Sequence, residues 1–184
     1  MKTAKLIVPL CFCFALLFAC GNGEDTNSSG TSSTESKDIV ALEIVQLIDN
    51  YKAGLQPVTP IANVKNFDAN AKENLNSSGK FIGFQSETEK ENLAIRKYYS
   101  TKFNDEKNLK ACNVSFEVLD AYDEDDNEDP SKVIEYQKYV DLINKHLPDA
   151  QYEKFNGDDS WELDNNTFVF SYSEYDVSFE VIRY

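Results

Sequence analysis

Histidine and glycine are scarce in this chain, and each shortage excludes a class of function. Its 184 residues include one histidine and seven glycines. Any Ser-His or Cys-His mechanism would have to use that histidine. It is His146, at the predicted end of a helix, where a cation interacts favourably with the helix dipole. A single histidine also supports a typical zinc site poorly. No glycine-rich phosphate loop and no G-x-S-x-G motif is present, so the sequence contains no recognisable catalytic constellation.

Positive charge and long apolar runs are scarce too. Eighteen lysines and arginines stand against 32 acidic residues, a net charge of −14, which disfavours binding to nucleic acid. A charge of this sign suits a basic partner, although a solvated acidic surface is its commoner cause. The apolar run at residues 6–18 is shorter than the roughly 20 residues that a membrane-spanning helix needs.

That apolar run has the features of a secretion signal. It follows Lys2 and Lys5 and leads directly into the tetrapeptide LFAC at residues 17–20. The arrangement resembles the lipobox of bacterial lipoproteins, which are cut just before the cysteine and carry lipid on it. The resemblance implies a mature protein that begins at Cys20 and is anchored there by acyl chains such as palmitate. An ordinary cleaved signal with a coincidental cysteine and an uncleaved anchor are the alternatives.

The resemblance divides the chain into three parts. Residues 1–19 are the expected signal peptide, residues 20–37 a lipid-anchored flexible linker, and residues 38–184 a single globular domain. Removing the signal removes two lysines and no acidic residue, which leaves a charge of −16. Gly21 is similar to the small residue that follows the cysteine in outer-membrane lipoproteins. The expected location is therefore the outer membrane, with the domain facing the periplasm or the cell surface.

Cys112 would be the last cysteine left after processing, since Cys11 and Cys13 leave with the signal and Cys20 takes lipid. The mature chain would then have no internal disulfide. Cys112 lies in an apolar run at residues 111–119, which favours a small buried hydrophobic residue. A reactive thiol is the alternative.

Apolar spacing predicts three helices, at residues 37–53, 86–102 and 130–147. Ser36 is the expected N-cap of the first helix. The capping-box sequence SETE, at residues 86–89, opens the second. The third helix starts on a proline and has apolar residues spaced 3, 4, 3 and 4 apart. These residues are Val133, Tyr136, Val140, Ile143 and Leu147.

Alternation of apolar and polar residues predicts strands at 80–85, 109–122, 161–163, 167–172 and 175–184. In the last strand one side is apolar and the other polar, which is typical of an antiparallel sheet covered on one face. Helices and strands do not alternate regularly to the end, so a doubly wound fold is disfavoured. The predicted class is α+β, with about three helices packed on one face of a mostly antiparallel sheet that ends in a C-terminal hairpin.

An acidic loop offers the pattern most similar to a metal site, ahead of the shorter acidic patch Asp158-Asp159. Asp123, Asp125 and Asn127 have the 1, 3, 5 spacing of a calcium loop. The sixth position is Glu128 instead of glycine, and the twelfth is Ile134 instead of glutamate. Without the sharp turn and the bidentate ligand, an exposed acidic loop is favoured over weak binding of calcium or magnesium, and no metal site is predicted.

Aromatic residues crowd into the last 24 positions of the chain. Their alternation along the predicted strands favours packing of the sheet against helices. The alternative is a ligand or partner surface, because tyrosine and tryptophan combine an apolar face with a polar tip. The candidates for such a surface are Trp161, Tyr172, Tyr175 and Tyr184.

These observations favour a membrane-anchored lipoprotein of the bacterial cell envelope whose domain is a non-catalytic binding or interaction module. It would bind the membrane through the lipid on Cys20 and would bind an envelope protein through its domain, without a cofactor and without nucleic acid. Two alternatives stay open. One is a small anchored hydrolase that uses carboxylates or a divalent metal, and the other is a purely structural envelope lipoprotein.

The lipobox makes a direct prediction. Mass spectrometry of the protein extracted from its native membrane should find Cys20 at the N-terminus with acyl chains attached. The variant Cys20→Ala should carry no lipid. It should leave the membrane fraction, because the acyl chains that hold the protein in the membrane are missing. A mature N-terminus at any other residue, or an unmodified Cys20, would contradict the prediction.

Overall fold

The computed structural model describes residues 38–102, 105–122, 127–155 and 157–183. The described part of the chain contains three α-helices and two short 3₁₀ turns. The helices are α1 (Ile39–Lys52), α2 (Val64–Phe67) and α3 (Gln137–His146), and the 3₁₀ turns are Ile61–Asn63 and Pro130–Lys132. The expected signal peptide and linker, residues 1–37, lie outside the described residues.

Eight strands form one sheet, in which every neighbouring pair is antiparallel. The strands are β1 (Lys72–Leu75), β2 (Phe81–Lys90), β3 (Leu93–Lys102), β4 (Asp105–Val118), β5 (Gln151–Phe155), β6 (Asp158–Leu163), β7 (Asn166–Tyr172) and β8 (Asp176–Ile182). Their order across the sheet is β1-β2-β3-β4-β8-β7-β6-β5. The predicted α+β class and the C-terminal hairpin, β7–β8, are confirmed.

The hydrophobic core is built from alternate residues of the central strands, because successive side chains of a strand point to opposite faces. Val114 and Phe116 of β4 lie directly opposite Phe179 and Val177 of β8, and all four are at most 1% exposed. The alternation predicted for these two strands is therefore confirmed. Cys112 is fully buried in the same core, and this burial raises the pKa of its thiol far above the usual value. These properties match the prediction of a buried hydrophobic residue.

Helix α1 confirms the helix predicted at 37–53. Its N-cap is Asp38, whose carboxylate accepts a hydrogen bond from the backbone N–H of Ala41 at 3.0 Å. The expected cap, Ser36, lies outside the described residues. The buried stripe of the helix is Val40, Ile44, Leu47, Ile48 and Tyr51, and these side chains share one core with the sheet and with α3.

Two carboxylates tie α1 to its neighbours. Glu43 pairs with Lys97 of β3 at 2.6 Å and with Lys90 of β2 at 3.2 Å, and Asp38 pairs with Lys138 of α3 at 2.7 Å. Burial alone would raise the pKa of both acids, but the lysine partners outweigh it and hold each pKa below its ordinary value. Both carboxylates are therefore stabilised in their charged forms in the fold.

The helix predicted at residues 86–102 is wrong. These residues form most of the hairpin β2–β3, whose two-residue turn places Glu91 at a φ of 56°. Glu87 faces Arg96 across the hairpin and accepts a hydrogen bond from its guanidinium at 2.7 Å. The capping box is a local signal. The strand prevails because β3 is paired on both sides, with β2 and with β4.

The third predicted helix, 130–147, is confirmed only in its second half. After the 3₁₀ turn the chain becomes extended at Val133 (φ −61°, ψ 132°), and α3 begins at Gln137. The backbone N–H of Ile134 donates to the carbonyl of Glu174, in the β7–β8 turn, at 3.0 Å. This tertiary hydrogen bond replaces the helical one, so the segment before α3 lies against the sheet as an extended strap.

The two edge strands were not predictable as strands. Residues 68–75 suggest helical turns from sequence, yet they include β1, and β5 has no strand pattern at all. Both edge strands are largely exposed on either face, so they lack the alternation that identifies a half-buried strand. The polar turn expected at residues 104–108 is also wrong, because β4 already begins at Asp105.

A close backbone approach makes Gly83 a sharp test of the β2–β3 register. Gly83 has a φ of 145°, and an added Cβ would lie 2.0 Å from the carbonyl oxygen of Tyr99. Gly83→Ala should lower the free energy of unfolding by about 2–4 kcal/mol, because the clash adds to the backbone strain. Denaturant titration measures the loss.

The matched control is Gly79→Ala. Gly79 also has a positive φ, 76°, but no atom lies within 4 Å of the added Cβ, so its loss should be only about 1 kcal/mol. Equal losses at the two glycines would show that the backbones of β2 and β3 do not approach so closely.

Candidate functional site

A groove opens where α3 starts later than its sequence pattern predicts. One wall is the extended strap and the first turn of α3, residues 133–138, and the other is the end of β7 with its turn, residues 172–174. The volume of this open groove is about 600 Å³. Val133, with an exposed fraction of 42%, lies on one wall. We call this feature the strap groove.

Two tyrosines, one from each side of the strap groove, stack on one another and join its two sides, and we call this stacked pair the tyrosine wall. The rings of Tyr136 and Tyr172 stack with their centroids 3.6 Å apart and their planes 13° from parallel. The ammonium of Lys154, on β5, donates to the hydroxyl of Tyr172 at 3.2 Å. It lies at nearly equal distances from the two ring centroids, 6.0 and 5.8 Å, so it sits beside the hydroxyl ends of the stack. The lysine therefore holds the wall from one side.

A buried carboxylate supports this wall from below. Asp159 of β6 is 1% exposed. Its Oδ1 accepts a hydrogen bond from the hydroxyl of Tyr152, and its Oδ2 lies 3.7 Å from the ammonium of Lys154. Oδ2 has no hydrogen-bond donor among the described residues. A buried charge is normally paired, and the Lys154 ammonium is the charged partner nearest to this carboxylate among the described residues.

The pKa values in this cluster record the same contacts. The hydrogen bond to the Asp159 carboxylate raises the pKa of Tyr152 above its ordinary value. The hydrogen bond to the Tyr172 hydroxyl, followed by the charge of Asp159, raises the pKa of Lys154. Both shifts favour the protonated forms of Tyr152 and Lys154, which are the forms that donate these hydrogen bonds.

The rim of the strap groove is acidic. Glu135 and Glu174 are exposed and line the groove, and neither forms an ion pair with another described residue. Lys138, which also lines it, is already paired with Asp38 at 2.7 Å. Two carboxylates are therefore left to attract a ligand, and both nearby ammonium groups are neutralised.

The structure separates the four aromatic residues that the sequence predicts as a ligand or partner surface. Trp161 is fully buried, and its indole N–H donates to the side-chain oxygen of Asn144 at 2.8 Å, so it belongs to the core. Tyr175 is 8% exposed and packs in a small second cluster. Tyr172 lies in the strap groove, and Tyr184 lies outside the described residues.

Most of the remaining candidates lie outside the part of the chain that the structure describes. Cys20, Asp123 and Asp125 lie outside the described residues, and Asn127 is exposed. Within the described ranges no group of three or more histidine, cysteine or acidic side chains is placed to hold a metal ion. His146 ends α3 as predicted, and its carbonyl accepts a hydrogen bond from the Lys52 ammonium at 2.8 Å.

Sequence reasoning missed most of the strap groove. The sequence pattern places Tyr136 on the apolar side of a continuous helix. In the structure, the hydrogen bond from Ile134 to Glu174 holds the segment before α3 as a strap. Lys154 lies in β5 and Asp159 in β6. The sequence of β5 has no strand pattern, so this pair of strands was not predicted. The one usable signal was the aromatic crowding that included Tyr172.

No protein-family model, no curated protein and no solved structure matches this chain. Across the described ranges, no helix combines the length and the apolar character needed to cross a bilayer. The function must therefore be inferred from the geometry of the site itself.

The support under the tyrosine wall can be tested with Asp159→Asn. Loss of the buried charge should lower the free energy of unfolding by about 1–2 kcal/mol, since Lys154 is half exposed and can be solvated in the variant. The pKa of Tyr152 should fall towards its ordinary value, as followed by ¹³C NMR of labelled tyrosine, with Tyr152→Phe to assign the signal. An unchanged pKa of Tyr152 would show that its hydroxyl does not donate to Asp159.

Proposed function

We propose that this protein is a lipid-anchored binding module of the bacterial cell envelope, which holds a basic protein partner in the strap groove. The observation that carries the proposal is the stacked pair of Tyr136 and Tyr172 on the wall of an apolar groove whose rim carries two unpaired glutamates. The domain then acts by binding, without chemistry of its own.

The lining of the groove supports a protein partner. Val133, Ile134 and the two stacked tyrosines offer apolar surface to an inserted side chain. Aromatic residues that are held rigidly lose little conformational entropy on binding, and they are enriched among the residues that dominate interface energetics. The stack is already ordered by Lys154 and Asp159, so the wall is preorganised before a partner arrives.

Charge supports a basic partner. Glu135 and Glu174 stand on the rim, and the chain as a whole carries a net charge of −14. Such a field speeds the approach of a cationic partner and repels an anionic one. The expected ligand is a segment that packs an apolar side chain against the stacked tyrosines and places lysine or arginine beside the two glutamates.

The proposal has two structural parts, the packing of the helices on the sheet and the length of the linker. We infer that α1 and α3 cover one face of the sheet, since buried side chains of both helices share a core with alternate residues of β4, β7 and β8. Residues 22–37 form the proposed linker, with a root-mean-square reach of roughly 20–25 Å from the lipid on Cys20. That reach would let the domain present its groove to a partner in the same membrane.

The test is site-specific photo-crosslinking of the full-length protein in its native envelope. A photoreactive benzoylphenylalanine replaces Val133 on the groove wall, and in the control it replaces Leu42, which is 55% exposed on α1. One protein with a basic segment should be captured at position 133 and not at 42, and Cys20→Ala should reduce its yield. Capture at both positions, or at neither, would refute the proposal.

Affinity measurements with the captured partner complete the test. Tyr136→Ala should weaken binding at least about tenfold, as expected for an aromatic residue at the centre of an interface. Glu135→Lys combined with Glu174→Lys should weaken it further, chiefly by slowing association. The control pair Glu73→Lys and Glu162→Lys changes the net charge equally at exposed positions outside the groove, so an equal effect of both pairs would exclude recognition by the rim.

A further inference from the structure

Tyr98 presents an aromatic side chain on the side of the sheet opposite the core. Its neighbour in β3, Tyr99, is 3% exposed and points into the core, whereas Tyr98 is 37% exposed. Successive residues of a strand face opposite ways, so Tyr98 and Arg96 lie together on the outer face. The same face includes Ser115 of β4 and Ser178 of β8, which lie in the row of Arg96.

Amide side chains flank Tyr98 on both sides. Strand register places Gln85 of β2 directly opposite it on one side and Asn113 of β4 on the other. Directly opposite residues have Cβ atoms about 4.5–5.5 Å apart, so the three side chains form a continuous row. Neither amide makes a hydrogen bond with another described residue. Each therefore keeps a donor and an acceptor for a ligand.

The next row on the same face contains a rigid arginine. The guanidinium of Arg96 donates to Glu87 on one side at 2.7 Å and to Glu117 on the other. Positions two apart on a strand are separated by about 6.6–6.8 Å, so this row lies within reach of a ligand stacked on Tyr98. The two glutamates fix the plane of Arg96, and their remaining oxygens stay available as acceptors.

A polar groove of about 740 Å³ lies on the Gln85 side of Tyr98, and Asn113 is outside its lining. Its lining includes Gln85 and Tyr98, and its charged groups are Lys72, Glu87, Glu89 and Arg96. Two positive and two negative groups balance each other, although the whole chain has a net charge of −14. A locally neutral site favours an uncharged ligand, which sets this groove apart from the acidic strap groove.

We propose that this outer-face groove binds a neutral carbohydrate. A sugar ring packs its apolar C–H face against the ring of Tyr98. Gln85 offers an amide donor and an amide acceptor to the hydroxyls of the sugar, and Arg96 with Glu87 contacts the next residue of the glycan. Neutral hydroxyls both donate and accept, as these side chains do, whereas an anionic or cationic ligand would leave half of the charged groups opposed. The proposal does not depend on a partner in the strap groove.

The test is affinity electrophoresis of the full-length protein, solubilised in a neutral detergent. The native gels contain one neutral polysaccharide each: a glucan, a mannan, a xylan or a galactan. At least one of the four should retard the wild-type protein, and Tyr98→Ala should lose at least about tenfold in affinity for it. Tyr98→Phe should bind within about threefold of the wild type, because the ring face is retained. Gln85→Ala should bind more weakly than the wild type.

Two controls establish whether retardation arises at this groove. Tyr122→Ala removes a tyrosine that is 57% exposed elsewhere on the surface and should leave retardation unchanged. Circular dichroism should show that Tyr98→Ala remains folded. If it does not, the expected weaker binding of Gln85→Ala decides the test. The proposal is overturned if none of the four polysaccharides retards the protein, if only an acidic polysaccharide such as alginate does, or if Tyr98→Ala binds like the wild type. Tyr136→Ala should retain carbohydrate binding. This variant therefore separates failure of the carbohydrate proposal from failure of the proposed partner binding in the strap groove.

Discussion

The pairing of β4 with β8 is the contact on which the rest of the structure depends. β1–β4 and β5–β8 are two runs of sequentially neighbouring strands, and in the described part of the chain this one pairing makes them a single sheet. It buries Val114 against Phe179 and Phe116 against Val177. Helix α1 then packs beside this pairing. The rings of Tyr51 and Phe168 are in edge-to-face contact there, with their centroids 4.9 Å apart. Since the two strands are distant in sequence, apolar burial must offset the entropy of closing the chain between them.

The strap groove is a consequence of that pairing. Once β8 lies beside β4, the β7–β8 turn comes to lie against the segment that leads into α3, and Ile134 bonds to it instead of to a helical neighbour. The helix therefore starts at Gln137, and Tyr136 meets Tyr172. Local preference gives way here to tertiary contact, and such conflicts are expected at functional sites. The outer face of the sheet depends on the same pairing, because it extends the polar rows of β3 and β4 onto β8.

Prediction from sequence succeeded where a pattern repeats along one element. Helix α1 and strands β4, β7 and β8 each bury one regular set of side chains, so spacing alone revealed them. It failed at residues 86–102, where a capping box suggested a helix that pairing with β4 overrides, and at β1 and β5, whose exposed edges carry no alternation. Of the four aromatic residues proposed from sequence as a surface, the structure places Tyr172 in the strap groove. Tyr98 falls within the helix predicted at residues 86–102 and lies instead on the outer face of β3.

By itself the sequence determined the acidic charge, the single thiol beyond position 20, and the sets of residues that alternate into the core. These properties depend on composition and on periodicity within one element. Only the tertiary structure decided which elements meet, and therefore that Lys154 and Asp159 support a pair of stacked tyrosines while Gln85, Tyr98 and Asn113 form one row. The physical reason is that strand register and the start of α3 are set by hydrogen bonds between distant segments, and no local preference records those contacts.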